Sequence, residues 1–251
     1  MRASASVLEY HLVGYRQTWR GSALSSFLLP VLTVLGFGVG VGAYVAGVDG
    51  VPYLDWLVPG LIASTAMQVA IGESTWPVMG GFEWRRVYFA QATAPLRVSD
   101  IVGGHLAFVV FRVLTTCGVF LLVGAAFGTL HSWWSLAVLP IAGLVGVAVA
   151  APTFGYAAAV RTESYLAILL RLGMIPMSLF SGVFFPVDQM PAAFVWLAWV
   201  LPLWHGVDLS RAATTGLPTE WPVAAHLLVL VGWAAGGWAL ARDRFRRRLV
   251  V

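Results

Sequence analysis

Residues 180–211 read FSGVFFPVDQMPAAFVWLAWVLPLWHGVDLSR, and this stretch decides the fold. An apolar segment ends at Pro186, where Val187 and Asp188 are expected to reach water, and Pro191 opens a second apolar piece from Ala192 to Trp204. At about 1.5 Å per residue that piece covers only ~20 Å, short of a ~30 Å hydrocarbon core. Phe194, Trp196, Leu197, Trp199 and Val200 nevertheless make it too apolar to lie free in water. The two properties together predict a re-entrant or interfacial helical hairpin over residues 186–208, broken by proline and glycine and covered by neighbouring helices. Two ordinary spans joined by a tight turn are the alternative.

Composition points the same way. Of 251 residues, 59% are hydrophobic and 10% charged, against about a quarter charged in soluble chains. Mean hydropathy is +0.84. The expectation is an all-α polytopic membrane protein, with residues 1–251 forming a single membrane domain. The one cysteine, Cys117, excludes an intramolecular disulfide. All fifteen basic residues are arginine. Without lysine the chain has no GxxxxGK[ST] phosphate loop and no Schiff-base amine, so any ATP-driven step belongs to another polypeptide.

Along residues 1–21, Val7, Leu8, His11, Leu12 and Tyr15 recur at helical spacing, with Glu9, Arg16 and Arg20 among the remaining positions. This predicts an amphipathic helix on the cytoplasmic membrane surface rather than a signal peptide. Six spans follow, near 24–47, 56–79, 104–128, 136–160, 165–185 and 222–241. In the first, Gly36, Gly38, Gly40 and Gly42 form small-xxx-small pairs that admit a second backbone. Asp49, Pro52 and Asp55 make a short acidic loop. Placing the N-terminal segment, the loop at 80–100, the loop at 161–163 and the C-terminal tail on one side collects twelve arginines there and leaves Arg211 on the other. The positive-inside rule then sets both termini in the cytoplasm of a cell-membrane protein. In the loop at 80–100, Trp84, Val87, Tyr88 and Gln91 are expected on one helical face, with Arg85 and Arg86 beside it. Aromatic anchors flanked by arginine suit a partner's groove.

Enzyme chemistry finds no footing. The five histidines are scattered, and neither HExxH, GxSxG nor a carboxylate pair at metal spacing is present, so no catalytic residue, metal site or cofactor is expected on this chain. The basic tail reads as a topology signal beside anionic lipid, not as a nucleic-acid surface. Ionisable residues inside spans are expensive, and three stand out: Glu73, Arg112 and Arg171. Counting from the span ends places them about 9, 12 and 9 Å deep, all in the inner third. They are the expected substrate pathway if they cluster, and lipid-anchoring side chains if the arginines snorkel.

The motif SGxFFPxxxxP followed by PLWHGVxLxR resembles the C-terminal signature of type-2 ABC exporter permeases. The nodulation-factor (lipo-oligosaccharide) export permeases are the closest match, with daunorubicin-type drug-export permeases behind them. Gly182, Phe185, Pro186, Pro191, Pro202, His205 and Arg211 carry the match. The resemblance implies export of an amphipathic or lipid-linked substrate, such as a lipo-oligosaccharide, a polysaccharide or a drug-like molecule. It implies two copies of a separate ABC ATPase that binds ATP and Mg, and a homodimer or heterodimer of permeases among membrane lipids. It also places the ATPase-docking element at Glu83, Trp84, Arg85, Arg86 and Tyr88, followed by Pro95 and Leu96, where Thr93-Ala94-Pro95-Leu96 departs by one residue from the family's Thr-Pro-Leu. A non-transporting membrane scaffold or channel-like assembly is the other class of reading.

Overall fold

A computed structural model describes residues 2–250 apart from positions 46 and 49, and at 2, 22–27, 29 and 39 it describes the backbone alone. Asp49 of the expected acidic loop lies outside the described residues. Among the described residues the regular structure is helical apart from an antiparallel pair of two-residue strands, β1 (Gly47–Val48) and β2 (Val51–Pro52). Helix α1 runs without interruption from Arg2 to Leu35, then continues as a π-helical stretch, Gly36–Val41. Glycine has poor helix propensity, and four of them alternate where the α-helix gives way.

Among the described residues, five helical stretches are long and apolar enough to cross a membrane. The first joins α2 (Tyr53–Ser74) to α3 (Trp76–Glu83), and α5 (Val98–Ala126) is the second. The third joins a 3-10 turn to α6 (Val138–Ala159). The fourth combines α7 (Glu163–Leu169), a π turn and α8 (Ile175–Phe180), and α11 (Val223–Leu249) is the fifth. They correspond to the expected second to sixth spans. The expected first span, near 24–47, includes positions 24–27, 29, 39 and 46, which lie outside the fully described residues. A sixth crossing results if α9 (Ala192–Val200) and α10 (Pro202–Thr215), which meet at 86°, count as one broken span.

The stripe expected to lie on the membrane surface instead faces α5. Ser4 Oγ donates to Asp100 Oδ1 at 3.0 Å, His11 stacks on His105 with centroids 4.0 Å apart, and Tyr15 meets Phe108 and Phe111. A Cβ on Gly104 would stand 2.5 Å from Val7 Cβ, so only glycine lets the two helices approach this closely. Helices α1 and α5 therefore ascend in parallel from the end that holds the N-terminus. The other end of α11 returns there, since Arg248 reaches Ala158, Val160 and Glu83. Both termini lie at one end of the bundle.

Helix α2 is the core, with Trp56, Leu57, Ile62 and Met67 fully buried. Helices α6 and α11 pack backbone to backbone: a Cβ on Gly237 would stand 2.4 Å from Pro152 N. The α7–α8 stretch lies at the periphery, where Leu166 is its one buried side chain. Of the alternating glycines, Gly38 faces Leu54 of α2 at 3.1 Å, while Gly36 and Gly40 face open space.

Gly237→Ala forces a methyl into the α6–α11 contact, and overpacking of that kind costs about 1–3 kcal/mol. The expected outcome is a Tm several degrees lower in detergent. Gly232→Ala, whose Cβ meets nothing within 4 Å, should be neutral or slightly stabilising. Equal Tm values for the two variants would disprove the tight-contact reading.

Burial, reinforced by the charge of Arg85, holds His11 down from 6.5 to about 4. A depressed histidine contributes stability that is complete above 6.5 and lost as pH falls through about 4. Hydrogen-exchange protection of residues 4–15 should therefore drop across that window, and His11→Phe, which keeps the stack, should stay protected. An equal drop in both proteins would rule His11 out as the cause.

Candidate functional site

At the end holding the termini, Arg86 adopts a left-handed conformation (φ 50°) and separates α3 from α4 (Val87–Ala92). That break resets the helical phase, so Trp84 and Tyr88 do not share a face. Tyr88 is buried between Phe82 and Phe245, and its hydroxyl lies 2.7 Å from His105 Nδ1. Burial pushes its phenol well above the ordinary range, so it stays protonated. Tyr88 is thus a core residue, and the expectation of an exposed anchor there is corrected. Glu83 is also engaged, by Arg248, whose guanidinium lies over the Phe82 ring at 4.4 Å. What remains on the surface is Trp84, Arg85, Arg86, Phe89 and Pro95, with Leu96 half-buried. Phe89 escaped the sequence reading because a continuous helix from Trp84 places it on the wrong face; counted from Val87, it falls outward.

Glu73 on α2 and Arg112 on α5 form an ion pair, Nε to Oε1 2.9 Å. Arg112 also lies over the Tyr15 ring at 4.5 Å, which ties α1 to the pair. Two cavities meet at this guanidinium. One, about 770 Å³, opens among α1, α3 and α5 and is lined by Arg85, Glu73, Tyr10, Tyr15 and Gln17. The other, about 430 Å³, continues toward the opposite end past Ser64, Thr65, Gln68 and Thr116 to Phe37 and Phe184. Arg171 stands apart, exposed on the π turn of the peripheral helix. Two of the three expected pathway residues are brought together; the third is not.

The residues of the 180–211 stretch hold a bend. Gly182 takes φ +73°, and its carbonyl accepts Arg211 Nη2 at 2.8 Å. Arg211 Nε reaches the Trp56 carbonyl at 3.3 Å, and the guanidinium lies 3.7 Å from the centroid of the Trp56 ring. Pro186 precedes a 3-10 turn (Val187–Gln189), Pro191 starts α9, and Pro202 opens α10, each at a place where no helical donor is needed. Phe185 is exposed.

His205 completes the bend. Its Nε2 lies 2.9 Å from the Trp199 carbonyl and carries the proton there, so Nδ1 accepts from His226 Nδ1 at 2.8 Å. His226 Nε2 stands 3.0 Å from Asp208 Oδ2. Asp208 Oδ2 also accepts the backbone N–H of Glu220 at 3.0 Å. Desolvation, with Asp208 and Asp188 nearby, raises the Glu220 carboxyl above its ordinary range against the pull of Arg211. His226 and Asp208 carried no motif of their own; only the bend makes them neighbours of His205. Among the described residues, no group of three His, Cys, Asp or Glu is arranged to hold a metal ion.

Residues 6–214 match the profile of the family described as ABC-2 type transporter. Nodulation protein J of Rhizobium leguminosarum bv. viciae is 33% identical over 236 residues, covering 92% of this chain and 91% of that protein. Nodulation protein J of Sinorhizobium fredii is 33% identical over 237 residues, covering 92% and 90%. That of Neorhizobium galegae is 28% identical over 260 residues, covering 99% and 98%. With a family profile spanning most of its length and a run of membrane-crossing helices, the chain belongs to the ABC-2 type transporter family as a multi-pass membrane permease.

Proposed function

We propose that this chain is the membrane-spanning half of an ATP-driven exporter, moving an amphipathic or lipid-linked oligosaccharide out of the cytoplasmic leaflet. One observation carries the reading: an ion pair, Glu73–Arg112, is set where a cavity at the termini end meets a second cavity leading onward. A purely structural helix bundle has little reason to place charge in such a position, because desolvating it is expensive. The likeness to nodulation proteins J supports a substrate of the nodulation-factor type.

In this reading both termini are cytoplasmic and the cavity at that end faces the inner leaflet. Arg85 at its mouth and Arg112 deeper in present guanidinium groups to a phosphate or carboxylate headgroup. Glu73 orients Arg112 and keeps the pair near neutrality until an anion competes. Two permease copies, or this chain and a second permease, then work with two ATPase subunits that hold ATP and Mg. Trp84, Arg85, Arg86 and Phe89 form the surface on which each ATPase docks. Movement there passes into the bundle through Glu83–Arg248 and Tyr88–His105.

Trp84→Ala combined with Phe89→Ala should lower ATPase co-purification at least tenfold while the permease still inserts with an unchanged Tm. Tyr88→Ala should instead lower the Tm, since it empties a core position. Wild-type recovery of the ATPase with the first pair would remove the docking surface from this loop.

Arg112→Gln should abolish stimulation of ATP hydrolysis by an anionic glycolipid in proteoliposomes and leave basal hydrolysis. Arg171→Gln should retain full stimulation. Glu73→Gln should lower the Tm by leaving Arg112 unpaired, and the double variant Glu73→Gln with Arg112→Gln should recover stability without recovering stimulation. Normal stimulation in the double variant would show that the pair is structural only.

A further inference from the structure

The end of the bundle opposite the termini holds a cavity of about 520 Å³ that the export reading above does not use. Four tryptophans line it: Trp56, Trp199, Trp204 and Trp221. Trp199, Trp204 and Trp221 pack as a cluster with centroids 5.3–6.5 Å apart, and Trp199 and Trp221 remain half-buried, with part of each ring uncovered. Trp56 is 1% exposed, and its indole N–H is buried without a hydrogen-bond partner. The Trp199 N–H is unpartnered in the same way.

Polar groups of the opposite kind share the wall. Asp208, 7% exposed, has Oδ2 held by the Glu220 N–H and set against His226. Asp188 and Glu220 add exposed carboxyls, and Arg211 adds a guanidinium already committed to two carbonyls. Three acids repel an anion. Among the described residues they are not arranged to hold a metal ion. A purely apolar guest would strand these groups without partners. A ring with C–H faces and hydroxyl edges suits this lining: the faces lie on indole and the hydroxyls donate to carboxylates.

We propose that this cavity is a saccharide-binding site, which receives the sugar portion of the exported molecule at the far side of the membrane. The proposal rests on the export reading for its biological ligand, but not for its chemistry. Asp208 is the preorganised acceptor, held by the Glu220 backbone N–H. Trp221 is the stacking platform, placed on the connection between α10 and α11. The 86° bend between α9 and α10 brings Trp199 to the same cavity.

The test is equilibrium binding of radiolabelled cellotetraose, maltotetraose and chitotetraose to the full-length permease in nanodiscs, without the ATPase. The expected result is saturable binding of at least one tetrasaccharide, weakened at least tenfold by Trp221→Ala and by Glu220→Gln. Glu220→Gln changes an exposed side chain and leaves its backbone N–H on Asp208, so it remains informative if Trp221→Ala folds poorly. Tetramethylammonium should not compete. Absence of saturable binding, binding unchanged in both variants, or displacement by tetramethylammonium would each overturn the proposal, the last by making the cavity a cation site. Failure of the two readings is distinguishable. Tetrasaccharide binding by a permease that shows no glycolipid-stimulated hydrolysis with its ATPase sinks export and leaves the site. Full stimulation without any tetrasaccharide binding sinks the site and leaves export.

Discussion

Arg211 is the interaction on which the far end of the molecule depends. One guanidinium joins the carbonyl of Gly182, the carbonyl of Trp56 and the face of the Trp56 ring, so α10, the 180–186 turn and the start of α2 meet at a single group. The Gly182 carbonyl lies just past the end of α8, and the Trp56 carbonyl lies in the first turn of α2. A lysine could offer the charge but not the planar fork that reaches two carbonyls while stacking on a ring. The left-handed Gly182 is the matching requirement, since a Cβ there would meet Val187 at 2.8 Å as well as strain the backbone. Four signature residues, Gly182, Pro186, Pro202 and Arg211, are therefore one mechanical device.

The opposite end is organised by close packing of small residues and by paired charges. Gly104, Gly155 and Gly237 let α1, α6 and α11 approach their neighbours to distances that any side chain would block. Without a hydrophobic driving force inside lipid, such backbone proximity is a principal source of helix association. Charge is tolerated there because the half-buried arginines have defined counterparts: Arg112 with Glu73, and Arg248 with Glu83 and two carbonyls. Between these ends, Arg112 lies where two cavities meet. The same residue thus contributes to cohesion through Glu73 and Tyr15, and it presents a cation to the interior space.

Particular residues show how far reading the chain reaches. The prolines at 186, 191 and 202 and the shortness of the apolar piece between them made the broken segment legible, because helix length and proline position are local properties. The run of membrane-crossing helices was legible for the same reason. Tyr88 was misplaced because one residue, Arg86 with positive φ, shifted the helical phase by a break that spacing does not reveal. That the apolar stripe of residues 1–21 packs on a glycine-bearing face of α5, some ninety residues away in sequence, was not legible from the stripe itself.

From the sequence by itself come the membrane class, the helical architecture, the absence of a nucleotide-binding lysine and the signature of the bent segment. Each follows from composition, periodicity or adjacent residues. Only the tertiary structure decided which charges meet. Glu73, Arg112 and Arg171 looked equivalent by depth, yet Arg171 lies on a peripheral π turn while the other two face each other across α2 and α5. The chain His205–His226–Asp208 and the four tryptophans around the far cavity likewise come from separate segments. The physical reason is that depth along a helix is written in the sequence, whereas azimuth around it is set by the neighbours it packs against.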